Sequence, residues 1–356
     1  MTAVTGESLG VFVVEVLRAM GLPEEEAEIF GGALLFSELR FHPGHGQGVK
    51  KLRRYGERFA RGLVDPSAPW EPVKESPALA LVDAHNGIGT VAAARGMRLA
   101  IEKAKVCGIG QVVVRNSTHF GSSAVHACLA ADEGCIGIAL TNAGPEMAPW
   151  GAREGAVGTN PWGIAAPTGL GFPAVLDIAL TTAGKGMMTW NAQEGRSMPL
   201  DWALTPEGEE TDDPSAAMAG ALLGIGRYKG YGLAFMTDVL TGVIAGGGYG
   251  LTPYSVEGKM DVRHTLIALD IDWFMPLEEF RKRMDDFASM VKSRALRPGF
   301  DEILIPGEQE ARRVARKSAA GVPLENGALD DLRVLGAELG VAAEIVVVGP
   351  WEDATL

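Results

Sequence analysis

Two histidines stand among glycines and hydroxyl residues at points where the chain turns. His119 lies in Arg115-Asn116-Ser117-Thr118-His119-Phe120-Gly121-Ser122-Ser123. An apolar run over 109–114 with strand character precedes it, and a small-residue helix over 124–131 follows. In α/β proteins ligands bind at strand ends, and helix starts offer free backbone N–H groups to anions. An imidazole titrates near neutrality, so at such a corner it suits proton transfer. On this segment alone, a helix cap or turn-packing role explains His119 equally well.

The second histidine, His45, sits in Phe41-His42-Pro43-Gly44-His45-Gly46-Gln47-Gly48. Glycines on both sides suit close backbone approach to a ligand, which favours a functional role over a plain turn. The basic helix over 49–61 that follows carries Lys50, Lys51, Arg53 and Arg54. Such a cluster can hold a carboxylate. For Lys50, Arg53 and Arg54 the expectation is the plainer one, a solvated helix face.

A third feature is Gly224-Ile225-Gly226-Arg227-Tyr228-Lys229-Gly230-Tyr231-Gly232, ahead of an apolar helix over 233–244. A lysine among glycines at a helix start is a phosphate-binding arrangement, although a glycine-rich joint reads the same way. Several predicted strands also end in small, hydroxyl or amide residues. Examples are Thr141-Asn142-Ala143-Gly144, Gly158-Thr159-Asn160-Pro161, and Asp177 near the end of the 174–178 run. That repetition suits a polar ligand lying across strand ends, such as a dinucleotide. No GxGxxG follows a strand, so a dinucleotide site here is not of the standard Rossmann kind.

The elements that must position these residues are legible from periodicity and punctuation. Helices are predicted over 8–20, from Pro23 through Leu39, over 90–106, 124–133 and 276–294, and, after Pro306-Gly307-Glu308, as a charged helix to Ala319. Strands are predicted over 78–82, 111–114, 135–140, 162–166, 174–178 and 266–271, with a loop or ribbon over 195–211. The 345–348 run reads as a strand or an assembly contact. The alternation is that of an α/β protein.

The chain has 356 residues, 47% hydrophobic and 22% charged, enough to bury a sizeable core. Its net charge of −13, with no extended basic block, argues against a nucleic-acid partner. Cys107, Cys128 and Cys135 lack CxxC spacing and read as buried thiols of a reducing compartment. The N-terminus does not read as a signal peptide, and Asp238 with seven glycines interrupts the apolar stretch 230–250. A cytoplasmic protein without a membrane span is expected. The six histidines show no metal-ligand spacing, so no metal is expected.

Taken together, the pieces resemble the malate/L-lactate dehydrogenase (L-sulfolactate dehydrogenase-like) family of NAD(P)-dependent oxidoreductases. That group includes ureidoglycolate dehydrogenases, diketogulonate reductases and piperideine-2-carboxylate reductases. The resemblance rests on Leu39-Arg40 with His45-Gly46, Asn116-Ser117-Thr118-His119-Phe120-Gly121, Gly158-Thr159-Asn160-Pro161, and Leu176-Asp177 with Gly184-Lys185. It also rests on Pro199 with Trp202, Lys229-Gly230-Tyr231-Gly232 and Pro306-Gly307-Glu308, all in the family's order over about residues 8–325.

The resemblance implies an α/β, L-sulfolactate dehydrogenase-like fold with a non-Rossmann nicotinamide-binding domain and a helical N- and C-terminal layer. Residues 1–75, carrying the His45 loop, would pack with 275–356, and 76–274 would form the mixed sheet and cofactor-binding domain. It further implies a homodimer, NAD or NADP as cofactor, and a small 2-oxo or 2-hydroxy carboxylic acid as substrate. A cyclic 2-imino acid reductase is the alternative within enzymes, and a dinucleotide-binding sensor without turnover the alternative outside them. By the resemblance, His45 and His119 are catalytic, and Arg40, Lys51 and Arg54 bind the substrate. The cofactor would lie against Asn142, Thr159, Asn160, Asp177, Ile178, Ala179, Lys229, Gly230, Pro306, Gly307 and Glu308. Two departures stand out. Gly44 replaces a serine, and Lys51 stands where an arginine would clamp the carboxylate, offering a point charge in place of a planar fork.

Overall fold

A computed structural model describes residues 1–42, 48–257 and 259–351. The chain opens with β1 (Thr2–Val4), α1 (Gly6–Ala19), α2 (Glu24–Arg40) and α3 (Leu52–Ala60). Thr5 caps α1 by accepting from the Ser8 N–H, and Pro23 precedes a first turn of three glutamates in α2. Both are start signals that favour the helix at its positive end.

Next come β2 (Glu71–Glu75), β3 (Leu79–Asp83), α4 (Gly89–Cys107), β4 (Ile109–Ser117), α5 (Ser123–Asp132) and β5 (Cys135–Thr141). These are followed by β6 (Trp162–Ala166), β7 (Ala174–Ile178), α6 (Lys185–Gln193), β8 (Ala203–Leu204), α7 (Pro214–Ala219) and β9 (Ala221–Leu222). The chain continues through α8 (Tyr228–Asp238), β10 (Val262–Asp270), α9 (Leu277–Lys292) and α10 (Glu308–Ala320). It closes with β11 (Val322–Leu324), α11 (Asn326–Glu338) and β12 (Val347–Pro350). The sequence reading missed β1, β2, β9, β11, α6, α7 and α11. The strands among them are short or charged, and α6 and α7 lie in a polar, proline-bearing stretch.

Seven strands form the main sheet in the order β2-β3-β4-β10-β5-β6-β7. Its first strand along the chain starts at Glu71. Only β3 and β4 pair in parallel, through the α4 crossover; every other neighbour is antiparallel. Because β10 runs antiparallel to both β4 and β5, those two strands point the same way. The same alternation aligns β7 with them. So β3, β4, β5 and β7 all end at one edge, and β6 and β10 begin there. This register delivers Ser117, Thr141, Asn160, Ile178 and His264 to a common rim.

One core lies under this sheet, where Met97, Val112, Val114, Phe120, Ala139 and Leu266 pack α4 and α5 against it. A second core joins the chain's two ends: Leu9, Val13, Phe30, Leu52 and Tyr55 pack with Val322, Leu329, Leu332 and Ile345. The run near 345–348 is strand β12, paired antiparallel with β1.

The apolar 233–244 segment departs from the buried core helix expected of it. α8 ends at Asp238 and continues as a wider π-type turn over Val239–Val243. Along it Leu233, Met236, Leu240, Val243 and Ile244 are all exposed in the single chain. Hydrophobicity all round a segment signals burial but cannot say against what. No helix among the described residues is long and apolar enough to cross a membrane.

Candidate active site at the sheet rim

His119 stands at the end of β4, and its ring orientation is fixed locally. The backbone N–H of Gly121 donates to His119 Nδ1 at 3.0 Å. Gly121 makes this possible with a positive φ of 83°, a conformation glycine adopts at little cost. With Nδ1 accepting, the proton of the neutral ring sits on Nε2. Burial pushes the pKa of His119 well below its usual value, and the positive charges of Lys51, Arg58 and Arg54 push in the same direction.

Those three cations come from one face of α3 and its first residues. Positions 51, 54 and 58 are spaced three and four apart, which places them together on a helix surface. Lys50 and Arg53 turn away and pair with Glu325 at 2.5 Å and Glu338 at 3.0 Å. The solvated-face expectation describes Lys50 and Arg54, which are exposed, and the half-buried Arg53, while the charge of Arg54 also reaches His119. Burial, with Arg54 and Arg58 beside it, lowers the Lys51 ammonium to about 7. Tyr55 and Tyr254 complete this side. Burial raises both phenols, Tyr55 to about 12, and each lies close enough to feel Arg54 and Arg58.

Sequence reasoning missed Arg58 and Tyr254. The helical spacing from Lys51 and Arg54 would have found Arg58. Tyr254, from a loop far along the chain, left no local signal. His45 lies outside the described residues. Its loop returns at Gly48-Val49, where the Val49 N–H donates to Glu38 Oε2 at 2.9 Å.

Arg40 is not brought to the His119 cluster. Its side chain is buried, its charge acts on Asp177, and Gly307 lies against its guanidinium. Asp177 accepts the Ala124 N–H at the start of α5 at 2.9 Å. Burial nonetheless raises its carboxyl to about 6. The turn at Pro306 meets the same place, its carbonyl accepting the Val175 N–H at 3.0 Å. Glu308, however, turns inward. It receives Lys292 at 2.6 Å and 2.7 Å, Arg312 at 2.6 Å, and the Ile305 N–H at 3.2 Å. Its carboxylate is engaged inside the protein.

Asn142 and Asn160 are held in a similar way. Both are buried, and their amides are spent on the scaffold. Asn142 donates to Asp238 Oδ1 at 3.2 Å and the Gly248 carbonyl at 2.8 Å, and accepts from the Arg263 N–H at 2.8 Å. Asn160 donates to the Ala234 carbonyl at 2.8 Å and Asp238 Oδ2 at 3.2 Å, and accepts the Ala143 N–H at 2.9 Å. They pin α8 to the rim through Asp238, with both N–H donors of each amide spent on the scaffold. A buried asparagine beside a strand end looks identical in sequence whether it serves ligand or scaffold.

The remaining positions suit a dinucleotide. Thr159, Ile178 and Ala179 are partly exposed along the rim, and Lys229 is exposed in the first turn of α8. Gly230 packs so closely that an added Cβ would overlap Ile225 N and Leu180 O, keeping the helix start against the strand end. Ser123 Oγ and Thr181 Oγ1 are buried without a hydrogen-bond partner among the described residues. Unspent polar atoms beside a helix start are what a phosphate- and ribose-bearing group would satisfy.

Residues 4–333 match the profile of a family described as malate/L-lactate dehydrogenase. A malate dehydrogenase of Pyrococcus abyssi is 36% identical over 344 residues, covering 94% of each chain. An L-sulfolactate dehydrogenase of Methanocaldococcus jannaschii is 34% identical, covering 93% of this chain and 96% of its own. The crystal structure of malate dehydrogenase from Entamoeba histolytica superposes with a TM-score of 0.92 at 29% identity, covering 96% of this chain and 99% of that one. The family match spans the sheet and its whole rim, and the chain belongs to the malate/L-lactate dehydrogenase family, an NAD(P)-dependent group of oxidoreductases.

Proposed function

We propose that this protein interconverts a 2-oxo acid and a 2-hydroxy acid that carries a second anionic group, using NAD or NADP. The observation that carries this reading is the convergence of Lys51, Arg54 and Arg58 on His119. One carboxylate needs one clamp, whereas three cations around one imidazole suit a dianion. Malate and sulfolactate, named for the relatives above, each carry two acid groups.

The bound nicotinamide supplies or accepts the hydride. Thr159, Ile178, Ala179, Lys229, Gly230 and the Pro306-Gly307 turn would hold the cofactor, with Asp177 and the start of α5 beside it. As a carbonyl is reduced, negative charge develops on its oxygen. His119, neutral and carrying its proton on Nε2, stabilises that charge as a fixed hydrogen-bond donor. A neutral imidazole whose Nδ1 accepts from Gly121 does not itself release the proton. His45 is the proton donor and acceptor of this reading. Lys51 and Arg54 hold the carboxylate next to the reacting carbon, and Arg58 holds the second acid group.

Self-association belongs to the same reading. The exposed stripe Leu233, Met236, Leu240, Val243 and Ile244 is apolar and contiguous along α8 and its π-turn, the kind of surface that a second copy covers in a homodimer.

The test is an absorbance assay with NADH and NADPH against oxaloacetate, sulfopyruvate, pyruvate and piperideine-2-carboxylate. A dianion preferred over pyruvate by about tenfold or more in kcat/KM is expected, since one lost charge contact costs that much or more. Preference for pyruvate or the imino acid overturns the dianion assignment. Absence of any substrate-dependent oxidation leaves a dinucleotide-binding protein without turnover.

A further inference from the structure

We infer that His264 is a positioning residue that holds the His119 corner in place by gripping the residues on both sides of it. This rests on the reading of His119 as a site residue. His264 lies in β10, between the strand that carries His119 and the strand that leads to Asn142, and it is completely buried. Among the described residues, three side chains meet its ring. Nε2 lies 2.8 Å from Ser117 Oγ, and Nδ1 lies 2.8 Å from Thr141 Oγ1. Its face stacks on Phe120, with ring centroids 4.9 Å apart and planes 14° apart.

Ser117 is two residues before His119 and Phe120 is the next one after it, so one imidazole holds both flanks. The other atoms of the corner are engaged as well. Thr118 Oγ1 donates to the Gly87 carbonyl and accepts the Gly89 N–H, each at 2.9 Å. His126 Nε2 meets the Phe120 carbonyl at 2.8 Å, and its ring lies 4.8 Å from the Phe120 ring. Thr141 Oγ1 lies 3.0 Å from the carbonyls of Asn142 and Arg263, which can only accept. With that hydroxyl donating to a carbonyl, His264 carries its proton on Nδ1 and accepts the Ser117 hydroxyl at Nε2. Burial, with His126 and Arg263 nearby, holds the ring neutral. Such a ring is poor as a proton carrier but well suited to fix geometry, and a misplacement of about 1 Å near reacting atoms costs about a hundredfold in rate.

The experiment is a double-mutant cycle between positions 264 and 119, read by kcat and by cofactor Kd from nicotinamide fluorescence. His264→Asn keeps the Thr141 contact and loses Ser117; His264→Gln reaches the Nε2 position and recovers Ser117. Expected are a kcat loss of about tenfold to a hundredfold in His264→Asn, partial recovery in His264→Gln, and unchanged cofactor Kd in both. The loss should vanish in the His119→Ala background, because a positioning residue has nothing left to position. Multiplicative losses, a wild-type kcat in His264→Asn, or a cofactor Kd that rises in step with the kcat loss overturns the inference. If His264→Asn does not fold, the cycle is run with His264→Gln, whose smaller kcat loss must likewise vanish in the His119→Ala background. Full turnover in His119→Ala would instead overturn the reading of His119 itself.

Discussion

At the scale of single residues, the site is an argument about which atom carries a proton. His119 accepts from Gly121 at Nδ1 and is kept neutral by burial and by three cations. Its contribution is therefore a hydrogen bond to a developing oxyanion, and loss of one such donor costs about 10²–10³ in kcat. His119→Ala should show that loss in steady-state turnover while the Kd for NADH or NADPH stays put; a loss below about tenfold sinks the assignment. Lys51 makes a different prediction. Its ammonium, lowered to about 7, is charged below that pH and neutral above it. Affinity for an anionic substrate should therefore weaken as pH rises through 7, with KM climbing by up to about tenfold per pH unit. Lys51→Arg keeps its charge throughout, so its KM should be flat from about pH 6 to about pH 8. A wild-type KM without pH dependence in that range would show that Lys51 does not face the substrate.

At the scale of elements, the rim exists because strands of a mixed sheet share an edge, and close contacts hold its helices there. The start of α4 is one such contact. An added Cβ at Gly89 would overlap the Thr118 carbonyl, while the Gly89 N–H donates to Thr118 Oγ1. Gly89→Ala should cost about 1–3 kcal/mol or more by overpacking. A lowered melting temperature, together with reduced kcat through displacement of the His119 corner, is the expected outcome. An unchanged melting temperature would mean that α4 and the corner move apart easily. Much of this scale was legible in sequence. The strands near 79–83, 109–117, 135–141 and 262–270, and the helices between them, follow from apolar runs bounded by glycines. The extent of β4 and β10 was underread, because a strand's last residues at a functional rim are polar and look like loop.

At the scale of the whole molecule, the two chain ends close over the sheet through a common core, while the α8 stripe is left uncovered in the single chain. Leu240→Asp places a charge in the middle of that stripe. If it is the dimer face, light scattering should report a dimer for the wild type and a monomer for the variant, with the fold intact by circular dichroism. A monomeric wild type at micromolar concentration would remove the basis for self-association through this face.

Sequence alone determined the longer strands and helices around the sheet, the family and the His119 corner, because periodicity, glycine punctuation and short motifs are local properties of the chain. It also contained the split of the basic helix, since positions 51, 54 and 58 share a face by spacing alone. Tertiary structure decided which polar residues are left for a ligand. Asn142, Asn160 and Glu308 carry the right chemistry, yet the asparagine N–H donors go to Asp238, Gly248 and Ala234, and the Glu308 carboxylate to Lys292 and Arg312. Arg40 went to Asp177 and not to His119. Tyr254 and His264 came to the His119 corner from more than a hundred residues downstream in the chain. These outcomes depend on which strands neighbour each other in the sheet, and pairing between distant segments leaves no trace in local spacing.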